Sequence, residues 1–75
     1  MLTAMKLDNR RIVEYFGGVA DLSAALVSLG YSAPYATVEK WRQRTSLSAE
    51  RIEQLQALAR RQGRAFNPEQ FQVAD

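Results

Sequence analysis

Two residue types are missing altogether from this chain of 75 residues: it has no cysteine and no histidine. Without cysteine there is neither a disulfide framework nor a thiolate metal site. Without histidine the commonest metal ligand and the usual general base at neutral pH are gone. No apolar run approaches the length of a membrane span, and the first residues lack the apolar region of a signal peptide. These absences predict a cytoplasmic protein with no metal, no cofactor and no membrane partner. Repeats, low-complexity tracts and strand-like alternation are lacking too.

Catalysis is poorly supplied. Acid–base or nucleophilic chemistry needs a held pair of titrating groups, or a nucleophile with a base beside it. The serines have no histidine to activate them, Lys6 and Lys40 carry no sign of burial, and the carboxylates fall at helix starts and on polar faces. A phosphate-cradling GxxxxGK[ST] loop is absent, and Gly17-Gly18 is a lone pair with no strand before it. The expectation is a binding protein, not an enzyme, with no small-molecule ligand.

Net charge is only +2, but its distribution is uneven. Residues 1–37 balance Lys6, Arg10 and Arg11 against Asp8, Glu14 and Asp21. From Val38 onward Lys40, Arg42, Arg44, Arg51, Arg60, Arg61 and Arg64 face only Glu39, Glu50 and Glu53 as far as Arg64. A phosphate backbone would be drawn to that half; the plainer reading is that these arginines are solvated helix faces.

The hydrophobic spacing is helical throughout and predicts a compact all-α domain of four to five helices. Asp8 or Asn9 caps a first helix reaching Phe16, with Ile12, Val13 and Phe16 inward, and Gly17-Gly18 ends it. A second helix from Val19 buries Leu22, Ala25, Leu26 and Leu29 and stops at Gly30. Pro34 is tolerated only near a helix start, so a third helix is expected over 34–44. Ser48 caps a fourth, running to about Arg61 with Ile52, Leu55, Leu58 and Ala59 on one face, and Asn67-Pro68 opens a short final turn. Residues 1–7 read as a flexible start, 8–62 as the domain, and 63–75 as an extension.

The third helix is the unusual one. Its large apolar anchors are Val38 and Trp41 alone, three apart. If both point inward, Tyr35, Ala36, Glu39, Lys40 and Gln43 face outward, with Thr37, Arg42 and Arg44 beside them. That is the layout of a helix seated on a domain while its other face enters the DNA major groove. Lys40 would donate to guanine, Gln43 would pair with adenine, Glu39 would accept from the cytosine amine, and Tyr35 and Ala36 would meet base edges or thymine methyls. Thr37, Arg42 and Arg44 suit phosphates, which position without specifying sequence. Each has a plainer role open to it: Thr37 as a cap, Tyr35 as a core cover, Glu39 as a surface partner of Arg42 or Gln43.

Phe16-Gly17-Gly18, the helix Leu22 to Leu29, Gly30 and then Thr37-Val38-Glu39-Lys40-Trp41-Arg42-Gln43-Arg44 form a pattern that resembles the phage Cro/repressor-type (XRE-like) helix-turn-helix group. The likeness covers about 12–55. It departs from the group in its long stretch between Gly30 and Val38, in Pro34 where a Ser or Thr cap is typical, and in Leu47-Ser48 where Ile-Pro is frequent. The resemblance implies a sequence-specific double-stranded DNA-binding regulator, a repressor of phage or mobile-element type, pairing as a homodimer on a palindromic operator. Phe66, Phe71 and Val73 are candidate dimer contacts, or else fold back to complete the core. The competing function is a small helical protein-interaction module, inhibitor-like or antitoxin-like.

Overall fold

The computed structural model describes residues 6–73. The first helix, α1 (Asn9–Tyr15), begins where expected, because the Asp8 carboxylate accepts from the Arg11 N–H at 3.2 Å and satisfies one orphan donor of the first turn. Ile12, Val13 and Phe16 all turn inward. Gly17, at φ +99°, forms the corner that follows. A Cβ there would be strained by this backbone angle and would also push aside the Asp21 carboxylate, 2.8 Å from it.

Helix α2 (Val19–Ser28) ends in a reciprocal pair of backbone bonds about Gly30, at φ +93°. Gly30 N–H donates to the Val27 carbonyl and Tyr31 N–H to the Leu26 carbonyl, which caps two free carbonyls at once. The long connection to α3 is then fastened from inside: buried Ser23 donates its hydroxyl to the Ala33 carbonyl at 2.7 Å, and Ala33 is fully buried. The extra length relative to a tight turn is therefore ordered structure.

Helix α3 (Tyr35–Trp41) starts directly after Pro34, whose extended angles place it in the cap position without a side-chain cap. Its carbonyl accepts from Thr37 and Val38 instead. Helix α4 (Ala49–Arg61) is capped as the sequence indicates, with Ser48 Oγ accepting from Arg51 N–H. A 3-10 turn (Pro68–Phe71) closes the chain, opened by Asn67. The architecture is all-α. The sole extended pairing among the described residues is an isolated antiparallel bridge between Leu7 and Gln72.

One core joins these pieces: Phe16, Leu22, Leu26, Val38, Trp41 and Leu55 are buried in it, with Leu58 and Ala59 beside them. Leu29 and Ile52, expected as anchors, are only partly buried against its edge. Each lies near an end of its helix, where fewer neighbours close over the side chain.

One expectation about the chain ends needs correction, and one open alternative is decided. Leu7, assigned to a flexible start, is 1% exposed, and its N–H donates to the Thr45 carbonyl. Lys6 of the same segment is exposed, and residues 1–5 lie outside the described residues. Phe66 and Phe71, for which a dimer contact and a fold-back were both open, are buried within the chain. Their rings stack with centroids 5.5 Å apart, and Tyr15 and Phe16 pack on them. The extension folds back because a domain this small needs those two rings to complete its core. Val73 remains exposed.

A chain of this length has about 4–11 kcal/mol of total stability. Replacing Phe71 by Ala should remove about 3–5 kcal/mol of it, read as a lower urea midpoint, with the association state unchanged. A change in association state at full stability would contradict the fold-back.

Candidate nucleic-acid interface

The α3 side of the molecule is built from seven helical residues and the turn that continues them. Val38 is fully buried and Trp41 is 6% exposed, so the inward phase of the helix is as the sequence indicates. Ala36, Lys40 and Gln43 are exposed, and Tyr35 is 56% exposed despite standing three residues before Val38. As the first helical residue it projects past the domain edge. Thr37 and Glu39 are half-buried, while Arg42 and Arg44 are exposed.

The predicted helix 34–44 is shortened at its end. After Trp41 the backbone tightens: Arg42 N–H donates to Glu39, Gln43 N–H to Lys40, and Arg44 N–H to Trp41, all three residues apart. These are 3-10-type bonds, the usual way in which a helix terminus satisfies its last carbonyls. Gln43 and Arg44 thus continue the helical rise, but in a narrower turn that rotates them relative to Ala36 and Lys40. Lys40 and Ala36 share one stripe with Gln43 at its far end, and Arg42 and Arg44 flank it.

Within that face the Glu39 and Arg42 side chains, each well over a third solvent-accessible, sit 3.7 Å apart as an ion pair. Such a pair contributes little to stability, about 0–1 kcal/mol, so it can open when a stronger partner arrives. A cleft of about 310 Å³ lies where α3 meets α4, lined by Thr37, Trp41, Arg44, Arg51 and the loop 46–48. Its hydroxyls and the Arg44 guanidinium suit an anion the size of a phosphate. A larger open groove of about 540 Å³ along α4, lined by Tyr31, Glu50, Glu53 and Arg60 among others, carries both signs of charge.

Not every cation of the basic half faces outward. Arg51 lies over the Trp41 ring, 5.1 Å from its centroid, and donates to the Ser32 carbonyl and to Gln54. Arg64 lies over Tyr15 and Phe16 and donates to the Tyr15 carbonyl. Both are structural ties. Lys40, Arg42 and Arg44 are the cations that α3 presents.

One residue escaped functional notice. Asn9, considered only as a cap beside Asp8, is 1% exposed, and its Nδ2 donates to the carbonyls of Trp41 and Ser46, each at 3.0 Å. A signal for it existed: 9, 12, 13 and 16 form the i, i+3, i+4, i+7 stripe of α1, so a polar residue stands in a core position. Its partners, 32 and 37 residues away, were not legible. No group of potential metal ligands occurs among the described residues, and no helix there is long and apolar enough to cross a membrane.

No protein-family model matches this chain, and no solved structure matches it. A 2-isopropylmalate synthase of Neisseria gonorrhoeae (strain ATCC 700825 / FA 1090) is 42% identical over an alignment of 69 residues that covers 89% of this chain. The chain spans 12% of that relative's length. The likeness is thus to a short segment of a much longer protein, and it assigns no catalytic residue here.

Arg51→Ala should lower stability by about 1–2 kcal/mol, through loss of the ring contact and of a charge-assisted hydrogen bond. Arg44→Ala should leave the urea midpoint nearly unchanged. Equal losses from both would show that the division between structural and presented cations is wrong.

Proposed function

We propose that this chain is a double-stranded DNA-binding transcriptional regulator that reads the major groove with α3 and the turn after it. The observation that carries the reading is the division of that element. Val38 and Trp41 are buried while Ala36, Lys40, Gln43, Arg42 and Arg44 are exposed on a short helix that follows α2 across an internally fastened turn. A helix held by two anchors, with its polar face outward, is the docking element of helix-turn-helix proteins.

In this reading Lys40 donates to guanine O6 or N7, Gln43 pairs with adenine, and Ala36 and Tyr35 approach thymine methyls or base edges. Glu39 leaves Arg42 to accept from a cytosine amine. Arg42, Arg44 and Thr37 take phosphates, with the α3–α4 cleft receiving one of them. The resemblance to Cro/repressor-type regulators, and with it repression in the cytoplasm of a prokaryotic or phage-infected cell, belongs to this proposal. Two copies would occupy an inverted repeat, since one such helix makes few base contacts. With Phe66 and Phe71 committed to the core, a pairing surface would draw on exposed residues such as Val73.

The 56% exposure of Tyr35 favours a second reading, a protein-interaction module that docks a partner on this same face. Salt separates the two. DNA binding through several phosphates weakens log-linearly with salt, whereas an apolar protein contact does not.

Selection from random duplexes at near-physiological salt should recover an inverted repeat. Arg42→Ala and Arg44→Ala should each reduce the salt slope by about 1, and Arg51→Ala should not. Lys40→Ala should relax preference at one base position by about 1–3 kcal/mol. Recovery without a motif would point to architectural binding, and no recovery would put the protein partner first.

A further inference from the structure

The turn that carries Arg42, Gln43 and Arg44 is bracketed by a single side chain. The Asn9 amide donates to the carbonyl just before them, Trp41, and to one two residues beyond them, Ser46. Between those two fixed points the three side chains stand exposed. The neighbouring backbone reinforces the grip, since Leu7 N–H donates to the Thr45 carbonyl at 2.6 Å. Arg51 steadies the same tryptophan from the α4 side, with its guanidinium over the ring.

Chemistry limits what can stand at position 9. Both partners are carbonyl oxygens, so the group facing them needs two N–H or O–H donors. Of the two ends of the amide, only the NH₂ supplies them. The other end, Oδ1, is buried with no hydrogen-bond partner. The amide is thus committed through its NH₂ to these two carbonyls. What it supplies is two fixed points across a short exposed turn, and holding a binding turn in one shape lowers the ordering cost of binding.

We infer that Asn9 is a positioning residue for DNA recognition, which sets where Arg42, Gln43 and Arg44 meet the duplex without touching it. The inference rests on the DNA-binding reading of α3. Removing the clasp keeps every charge on the face, so attraction to phosphates survives while the register of the contacts is lost.

The full chain and its Asn9→Ala and Asn9→Ser variants would be compared by amide hydrogen exchange and by binding to the selected duplex and to a scrambled duplex of the same composition. The Arg44 amide, bonded to Trp41, is the reporter, and the Tyr31 amide, bonded to Leu26, is the internal reference. In Asn9→Ala we expect Arg44 to exchange about tenfold faster relative to Tyr31. The ratio of selected to scrambled affinity should fall about tenfold, with scrambled affinity nearly unchanged. Asn9→Ser keeps one donor and should fall between; should the alanine variant not fold, the serine variant is read against the same criteria. An unchanged affinity ratio in a folded variant, or a parallel fall of both affinities, overturns the positioning role. Unchanged exchange at Arg44 overturns the clasp itself. Absence of any selected duplex for the unaltered chain overturns the DNA reading instead, while the exchange result still reports on the clasp.

Discussion

Trp41 is the residue on which the rest of the arrangement converges. Its ring is buried at the end of α3, its outer face is covered by the Arg51 guanidinium from α4, and its carbonyl accepts from Asn9 of α1. Three helices are therefore fixed relative to one another through different parts of one residue. Dispersion and apolar burial hold the ring, a cation–π contact orients α4, and a hydrogen bond sets the distance to α1. The turn from α2 joins the same junction, because Arg51 also donates to the Ser32 carbonyl. A helix of seven residues has little stability of its own; α3 exists because these contacts hold it.

The charges divide along the same line. Arg51 and Arg64 each place a guanidinium over aromatic rings and spend donors on backbone carbonyls, at opposite ends of α4. Both are the planar cation for which such stacking is favourable, a role lysine fills less well. Lys40, Arg42 and Arg44 lie beyond that framework, exposed, with Arg44 lining the α3–α4 cleft. A net charge of +2 thus understates how local the positive face is. The overlap of rigid framework and exposed cations at Trp41 is what makes this side of the molecule the best candidate surface for a polyanion.

At the other end of the core the chain closes on itself. Phe66 and Phe71 stack beside Tyr15 and Phe16, the Tyr15 hydroxyl donates to the Ala65 carbonyl, and backbone bonds tie Asp8 to Phe71 and Val73 to Lys6. The two ends of the described chain therefore meet. With the ends joined, Phe16, Phe66 and Phe71 are buried within one chain.

Helix positions, caps and stops could be read directly, because they depend on residues three or four apart: Asp8 and Ser48 as caps, Gly17 and Gly30 as ends, Val38 and Trp41 as one inward face. The edge positions Leu29 and Ile52 were overestimated, since periodicity assigns a side but not how completely neighbours cover it. Whether Phe66 and Phe71 faced inward or toward a partner stayed open for the same reason. Asn9 stood visibly in a core stripe, yet its purpose lay 32 and 37 residues away, and the roles of Arg51 and Arg64 as ties rather than ligand-facing cations depended on rings contributed by other helices. Sequence alone determined the all-α elements and the outward face of α3, because hydrophobic period and capping are local. Only the tertiary structure decided which cations remain exposed, which aromatics close the core and what clasps the turn after Trp41, because those depend on groups that come together only when the helices pack.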